Sequence, residues 1–259
     1  MDITVRDSIS KIFDGQLLTK NDLMYLLRIP LHSIEAGFVI AAANTINRAV
    51  SNYAAEVHAQ IGINLSPCPI NCSFCSFAVE NKIFKDNIEL NIAHIIEAAL
   101  NAEATGANAI YFMSTGDYSF DKFIDLSAEV RSNLKSDTVM IANIGDITYS
   151  QAKQLKTIGY TGIYHAVRMG EGRDTNIKPG IRLNTLKVAR EAGLLIGTCV
   201  EPIGPEHSID EIVEKILIAR EAQPCFSGAM RRITIPGSKL EKYGMISEYH
   251  LAYLVAAAI

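Results

Sequence analysis

Three thiols fall within eight residues, Cys68-Pro69-Ile70-Asn71-Cys72-Ser73-Phe74-Cys75, and no other stretch constrains the chain as tightly. The run follows Ile61-Gly62-Ile63-Asn64-Leu65-Ser66, whose alternation of apolar with small or polar residues predicts a buried strand. The thiols then sit at a strand's carboxyl end, where α/β folds carry their active sites. Cysteines spaced CxxxCxxC do not close a tetrahedral zinc site by themselves, because a structural zinc takes four protein ligands. The remaining cysteines, Cys199 and Cys225, stand alone and far downstream, so zinc would need His58 or His94 as an unpaired fourth ligand. Soft thiolates also select iron–sulfur clusters, and three ligands on a four-iron cluster leave one iron free for a small molecule. That is the stronger of the two readings.

The rest of the chain reads as a scaffold for this loop. Residues 3–55 carry helical periodicity, with Asn21-Asp22 able to cap a segment from Leu23 before Pro30 stops it, and residues 33–58 form a second, longer helical pattern. After the loop, amphipathic segments alternate with apolar runs. Helices are expected over 88–104, 121–134, 148–157, 180–192, 208–221 and 246–259, and strands over 109–113, 138–143, 162–167, 194–197 and within 226–235. Strands joined by helical crossovers run parallel. With the first strand there are six βα units, which predicts an α/β fold: a partial parallel (β/α)6 TIM-type barrel with an N-terminal helical layer. The alternative, an open doubly wound sheet, lacks a GxGxxG after any strand. The expected division is 1–58 for the helical layer, packed on the core, and 59–259 for the barrel. Tyr249 to Ile259 is strongly apolar without a helix-stop signal, which points to a truncated chain or to a helix docked against something else.

Composition narrows the partners. The chain has 259 residues, 49% of them apolar, enough for one sizeable core. A net charge of −4 without a long basic run favours a small-molecule partner over nucleic acid or an anionic membrane. No apolar stretch reaches the ~18 residues of a membrane span, and the start Met1-Asp2-Ile3-Thr4-Val5 lacks a signal-peptide pattern. Clustered thiols fit a reducing compartment, so a cytoplasmic chain is expected.

The cysteine loop, with the aromatic Phe74 before its third thiol, resembles that of the radical SAM superfamily. From about residue 20 onward the order of motifs is similar to the superfamily's biotin synthase-like branch. The resemblance implies that Cys68, Cys72 and Cys75 hold a [4Fe-4S] cluster, that its open iron chelates the methionine part of S-adenosyl-L-methionine, and that Phe74 packs on the adenine. Ser114-Thr115-Gly116-Asp117 stands where many members carry Gly-Gly-Glu, which implies that Gly116 and Asp117 receive the methionine ammonium. An ordinary Gly-Asp turn is the alternative. Asn143, closing the third strand, either faces the cavity with its donors and acceptors or forms a turn.

Arg182-Leu183-Asn184-Thr185-Leu186 resembles a segment near which an arginine contacts the SAM carboxylate, a task suited to the guanidinium fork. Arg168 and Glu171 stand near the Arg-x-Glu of some relatives, with the spacing one residue longer, and are expected near the mouth. The run from Cys199 to Glu206 loosely resembles a stretch that supports the adenine, which brings in Gly204. Glu201, a carboxylate in an apolar strand, either pairs with a cation such as Arg168, addresses substrate, or is solvated at the strand end. One of Arg231 and Arg232 is expected to point inward. The candidate catalytic residues are thus Arg168, Glu171 and Glu201, and the candidate cofactor-binding residues Phe74, Gly116, Asp117, Asn143, Arg182 and Gly204.

The resemblance implies a radical SAM enzyme that reductively cleaves SAM at its cluster. The 5′-deoxyadenosyl radical so formed would abstract hydrogen from a small polar substrate in cofactor or small-molecule biosynthesis, with an electron donor such as flavodoxin or ferredoxin. The alternative is a non-catalytic iron–sulfur scaffold or accessory protein for a partner enzyme. A second, [2Fe-2S] cluster of the biotin synthase kind is not expected, because Phe112, Ile141 and Gly197 stand where its thiols would be.

Overall fold

The computed structural model describes residues 2–259. Its first three helices are α1 (Ile3–Phe13), α2 (Lys20–Leu26) and α3 (Ile34–Val50). Each starts on a short polar side chain that accepts from the first turn's backbone N–H groups: Asp2, Thr19 and Ser33. Helix α3 ends at Val50 rather than at residue 58. Asn52 and Tyr53 take φ of +50° and +59°, which turns the chain out of the helix and lets β1 (His58–Gly62) begin where helix was expected.

The strand expected over 61–66 is therefore displaced and divided. Its later part, β2 (Asn64–Leu65), pairs antiparallel with β3 (Ile88–Glu89), residues expected to open a helix. The helix itself, α4 (Ile92–Ala104), starts later because the Asn91 side chain caps it by accepting from the His94 N–H at 3.0 Å.

From there the alternation is as expected. Strands β4 (Ala109–Met113), β5 (Met140–Asn143), β6 (Gly162–Tyr164) and β7 (Leu195–Gly197) join β1 in one parallel sheet of order β1-β4-β5-β6-β7. Helices α5 (Phe120–Asn133), α6 (Tyr149–Thr157) and α7 (Pro179–Glu191) make the crossovers. After Gly197 the chain continues as β8 (Val200–Ile203), crosses through α8 (Ile209–Glu221), and returns as β9 (Ala229–Arg231), parallel to β8. Thr198 N–H to Phe226 O at 3.0 Å and Cys225 N–H to Ile196 O at 2.9 Å carry the curvature from one sheet into the next. Helix α9 (Glu248–Ala258) ends the chain. The result is a partial parallel barrel of the TIM type. Among the described residues, no helix is long and apolar enough to cross a membrane.

Strand alternation gives the sheet two different faces. Ile61, Ile110, Phe112, Met140, Ala142 and Ile163 point outward and form the main core with Ile95, Phe123, Leu155 and Leu186 of the surrounding helices. Tyr111, Ile141, Tyr164 and Cys199 point the other way, into the barrel. A second core joins Val5, Leu23, Leu26 and Val39 of the first three helices to Val200, Ile203, Ile212, Ile216, Tyr253 and Leu254. The N-terminal layer thus covers the β8, α8 and α9 side of the barrel.

Candidate functional site

The cysteine loop is held by backbone bonds made largely within itself. Cys68 donates its N–H to Phe77 O at 2.7 Å, Val79 N–H returns to Cys68 O at 3.2 Å, and Cys75 N–H reaches Cys72 O at 2.8 Å. Asn71 takes φ +52°, a turn conformation Asn tolerates, and its side chain accepts from the Glu80 N–H at 3.0 Å. Asn81, buried, donates to the carbonyls of Cys75 at 2.8 Å and Ser73 at 3.3 Å. Cys68 is buried and Cys72 and Cys75 are half-buried.

Burial pushes all three thiols up, Cys72 to about 12, while the Arg168 charge pulls Cys72 and Cys75 back. A cationic centre binding them has to displace their protons. His58 and His94 do not join the thiols. His58 stands at the far end of β1, stacked on Tyr111 at 5.3 Å, and His94 is exposed on α4. Among the described residues, no three His, Cys, Asp or Glu side chains converge on a single-ion site.

The loop after β4 lies directly against the cysteine loop. A Cβ on Gly116 would collide with Ile70, and one on Gly145, after β5, would collide with the Gly116 carbonyl, so both glycines are needed for the close approach. Thr115 is fixed from below by Asn64, which accepts its N–H at 2.9 Å and donates to its hydroxyl at 2.8 Å. Asp117 is exposed, near enough to Cys68 for its charge to add to the thiol's rise.

Inside the barrel lies a cavity of about 500 Å³. Phe74, Asn143, Arg168 and Glu201 line it, so four candidates from four separate stretches meet there. Arg168 Nη2 stands 4.0 Å from Glu201 Oε1, a loose pair. Burial pushes the Glu201 carboxyl up against the pull of the Arg168 charge. The Tyr164 hydroxyl is buried and finds no hydrogen-bond partner. Gln60, Tyr111, Met113 and Tyr164 also line the cavity and were not singled out from the sequence. Their signal is the period of two: on β1, β4 and β6 they alternate with the residues, Ile61, Ile110, Phe112 and Ile163, that pack outward into the main core.

The other candidates lie elsewhere. Glu171 and Arg182 are buried behind the mouth. Arg182 donates Nε to Glu171 Oε2 at 3.3 Å and Nη1 to Asp146 Oδ2 at 3.0 Å. Asp146 Oδ1 also binds His165 Nε2 at 3.1 Å and accepts from the Thr185 hydroxyl at 3.0 Å. Gly204 sits against the paired side chains of Arg232 and Glu206, leaving no room for a Cβ. Of the two late arginines Arg232 is the buried one, while Arg231 reaches Ile246 O and Glu248. Phe112 faces the helices, so β4 offers Tyr111 and Met113 to the interior. Cys199 is packed inside the barrel, and Cys225 is exposed.

No family model matches the chain. Curated relatives do. Over 222 residues it is 22% identical to a biotin synthase of Rhodococcus jostii, spanning 81% of this chain and 63% of that one. Over 248 residues it is 23% identical to a biotin synthase of Carboxydothermus hydrogenoformans, spanning 92% and 75%. Among solved structures, methylornithine synthase (PylB) superposes with a TM-score of 0.83 at 16% identity, over 96% of this chain and 74% of that one. The FeFe-hydrogenase maturase HydG from Carboxydothermus hydrogenoformans gives 0.81 at 18% identity, over 98% and 62%. The chain thus spans less than two thirds of the Rhodococcus relative's length. In sequence and in fold the chain is thus similar to enzymes of the radical SAM superfamily. Within it, the likeness is to the biotin synthase-like branch.

Proposed function

We propose that this chain holds a [4Fe-4S] cluster through Cys68, Cys72 and Cys75, binds S-adenosyl-L-methionine beside it, and directs a 5′-deoxyadenosyl radical at a small polar molecule in the barrel cavity. The observation carrying this reading is the continuity of loop and cavity. Phe74, between the second and third thiols, lines the same space as Arg168, whose charge reaches Cys72 and Cys75. The donor set fits the group: three soft thiols leave one iron to a chelating ligand. When bound, cluster and SAM supply the electron transfer and carbon–sulfur cleavage that yield the radical.

The chain's own residues provide position and electrostatics. Asp117, exposed beside Cys68, offers a carboxylate to a cationic amine. Phe74 gives the adenine an aromatic face, and Asn143 presents an amide across the cavity. Arg168 and Glu201, only 4.0 Å paired, each retain hydrogen-bonding capacity toward the cavity and form the candidate substrate contacts. The aromatic walls of Tyr111, Tyr164 and Phe226 limit water around a reactive species. A one-electron donor such as flavodoxin or ferredoxin completes the scheme, with cofactor or small-molecule biosynthesis as the setting.

The test is anaerobic reconstitution with iron and sulfide, followed by SAM and dithionite. Formation of 5′-deoxyadenosine above that of Cys72→Ala is the expected result. A four-iron cluster without SAM cleavage would overturn catalysis and leave the chain as an iron–sulfur scaffold for a partner.

A further inference from the structure

The loop that follows β6 is bound to the cysteine loop by three hydrogen bonds, although the two are about a hundred residues apart in the chain. Ser73 donates its N–H to Asp174 O at 2.7 Å, Asn176 donates its N–H to Ile70 O at 2.8 Å, and Asn176 Nδ2 reaches Pro69 O at 3.2 Å. All three bonds fall between the first and third thiols. Whatever fixes residues 168–176 therefore fixes the spacing of the ligands.

Glu171 is what fixes them. Its Oε2 accepts the Arg168 N–H at 3.1 Å, and its Oε1 takes the Thr175 hydroxyl, whose oxygen in turn accepts the Gly172 N–H at 3.2 Å. The Glu171 side chain is fully buried, and such a carboxylate needs a cation. Arg182 supplies it from the first turn of α7 while also binding Asp146, after β5. Asp146 is in turn held by His165, after β6, and by Thr185, one turn along α7 from Arg182. The Arg182 side chain is only 4% exposed and is occupied by two carboxylates, while its charge still reaches Cys72.

We propose that Arg182 is a positioning residue that acts on the cysteine loop through Glu171 and the 168–176 loop. The chain of support runs from Asp146 and His165 on the barrel to Arg182, to Glu171, to the backbone of Arg168 and Thr175, and so to Ile70 and Ser73 between the thiols. A guanidinium suits this place because it addresses two carboxylates at once from a planar fork, which an ammonium does not reproduce. Its functional consequence rests on the proposed cluster-binding role of the three cysteines, but its structural content concerns the metal-free protein and is tested there.

The experiment measures iodoacetamide alkylation of each cysteine in the iron-free protein under anaerobic conditions, with exposed Cys225 as the internal reference. In Arg182→Gln, alkylation of Cys72 and Cys75 is expected to rise by at least about tenfold, since loss of the clamp makes local opening easier, while Cys225 stays unchanged. Arg182→Lys should restore part of the protection. Unchanged alkylation of Cys72 and Cys75 overturns the proposal, and with it a large loss of SAM affinity in the reconstituted variant would assign Arg182 to SAM. If all cysteines including Cys225 react faster, Arg182→Gln has unfolded and Asn176→Ala decides instead. Faster alkylation confined to Cys72 and Cys75 in Asn176→Ala supports the clamp, and no change overturns it. Failure to cleave SAM in the wild type would refute the proposed activity without altering these alkylation rates.

Discussion

At the scale of single residues, two buried groups give the protein opposite responses to pH. Burial pushes the Glu201 carboxyl above its ordinary 4.5, so between that value and the folded pKa the folded chain binds more protons than the unfolded one. Glu201 therefore costs stability as pH rises through this window. The Tm of Glu201→Gln relative to wild type is expected to move in the variant's favour between pH 5 and pH 8, and a constant difference would contradict it. His165 has the reverse sign. Burial holds it below its ordinary 6.5 despite the hydrogen bond to Asp146, so its neutral form stabilises the fold above 6.5. That contribution is lost as pH falls through 6.5 toward the folded pKa, at no more than about 1.4 kcal/mol per pH unit for the one proton. Thermal unfolding of His165→Asn between pH 7 and pH 5.5 is expected to show a flatter loss of Tm than wild type.

At the scale of elements, β4 and α7 show how one alternation serves two purposes. On β4, Phe112 is fully buried against the helices and meets Tyr160 edge to face at 6.3 Å, while Tyr111 and Met113 point into the cavity. Phe112→Ala removes a ring from a closed site and is expected to cost about 3–5 kcal/mol in chemical denaturation. On α7, Pro179 in the first turn starts the helix, Arg182 and Thr185 share the face toward Asp146, and Leu186 and Ala189 pack into the main core. The helix was legible from its periodicity and from Gly193 beyond its end. Which way Arg182 faces was not, because its two carboxylate partners come from other elements, 11 and 36 residues away in the chain.

At the scale of the whole molecule, the first and last helices are one structural unit with the open side of the barrel. Tyr253 is almost fully buried and donates its hydroxyl to Leu26 O at 2.6 Å, joining α9 to α2 across 227 residues. Tyr253→Phe leaves that carbonyl with only the Ile29 N–H, at 3.1 Å, and is expected to lower the unfolding free energy by about 1 kcal/mol. Equilibrium urea denaturation reads this directly, and an unchanged midpoint would show that the Ile29 N–H satisfies the carbonyl by itself. The same packing explains why residues 3–55 read as helical in sequence yet form no separate core: the apolar faces of the first three helices complete the one made by Val200, Ile203 and Ile216.

The sequence alone determined the cysteine loop, the βα rhythm and the parallel barrel, because ligand spacing, capping residues and apolar periodicity are local properties of the chain. It also marked Phe74, Asn143, Arg168 and Glu201, which the fold gathers around one cavity. Boundaries near 50–66 and 88–92 escaped it, since left-handed turns at Asn52 and Tyr53 and the pairing of β2 with β3 leave no periodic trace. Only the tertiary structure decided that Tyr111 and Tyr164 face inward, that Gly116 must admit Ile70, and that Arg182 lies between Asp146 and Glu171. These are long-range facts: a side chain's partner is fixed by which elements the packed core brings together, and a charge's role by the groups that meet it there.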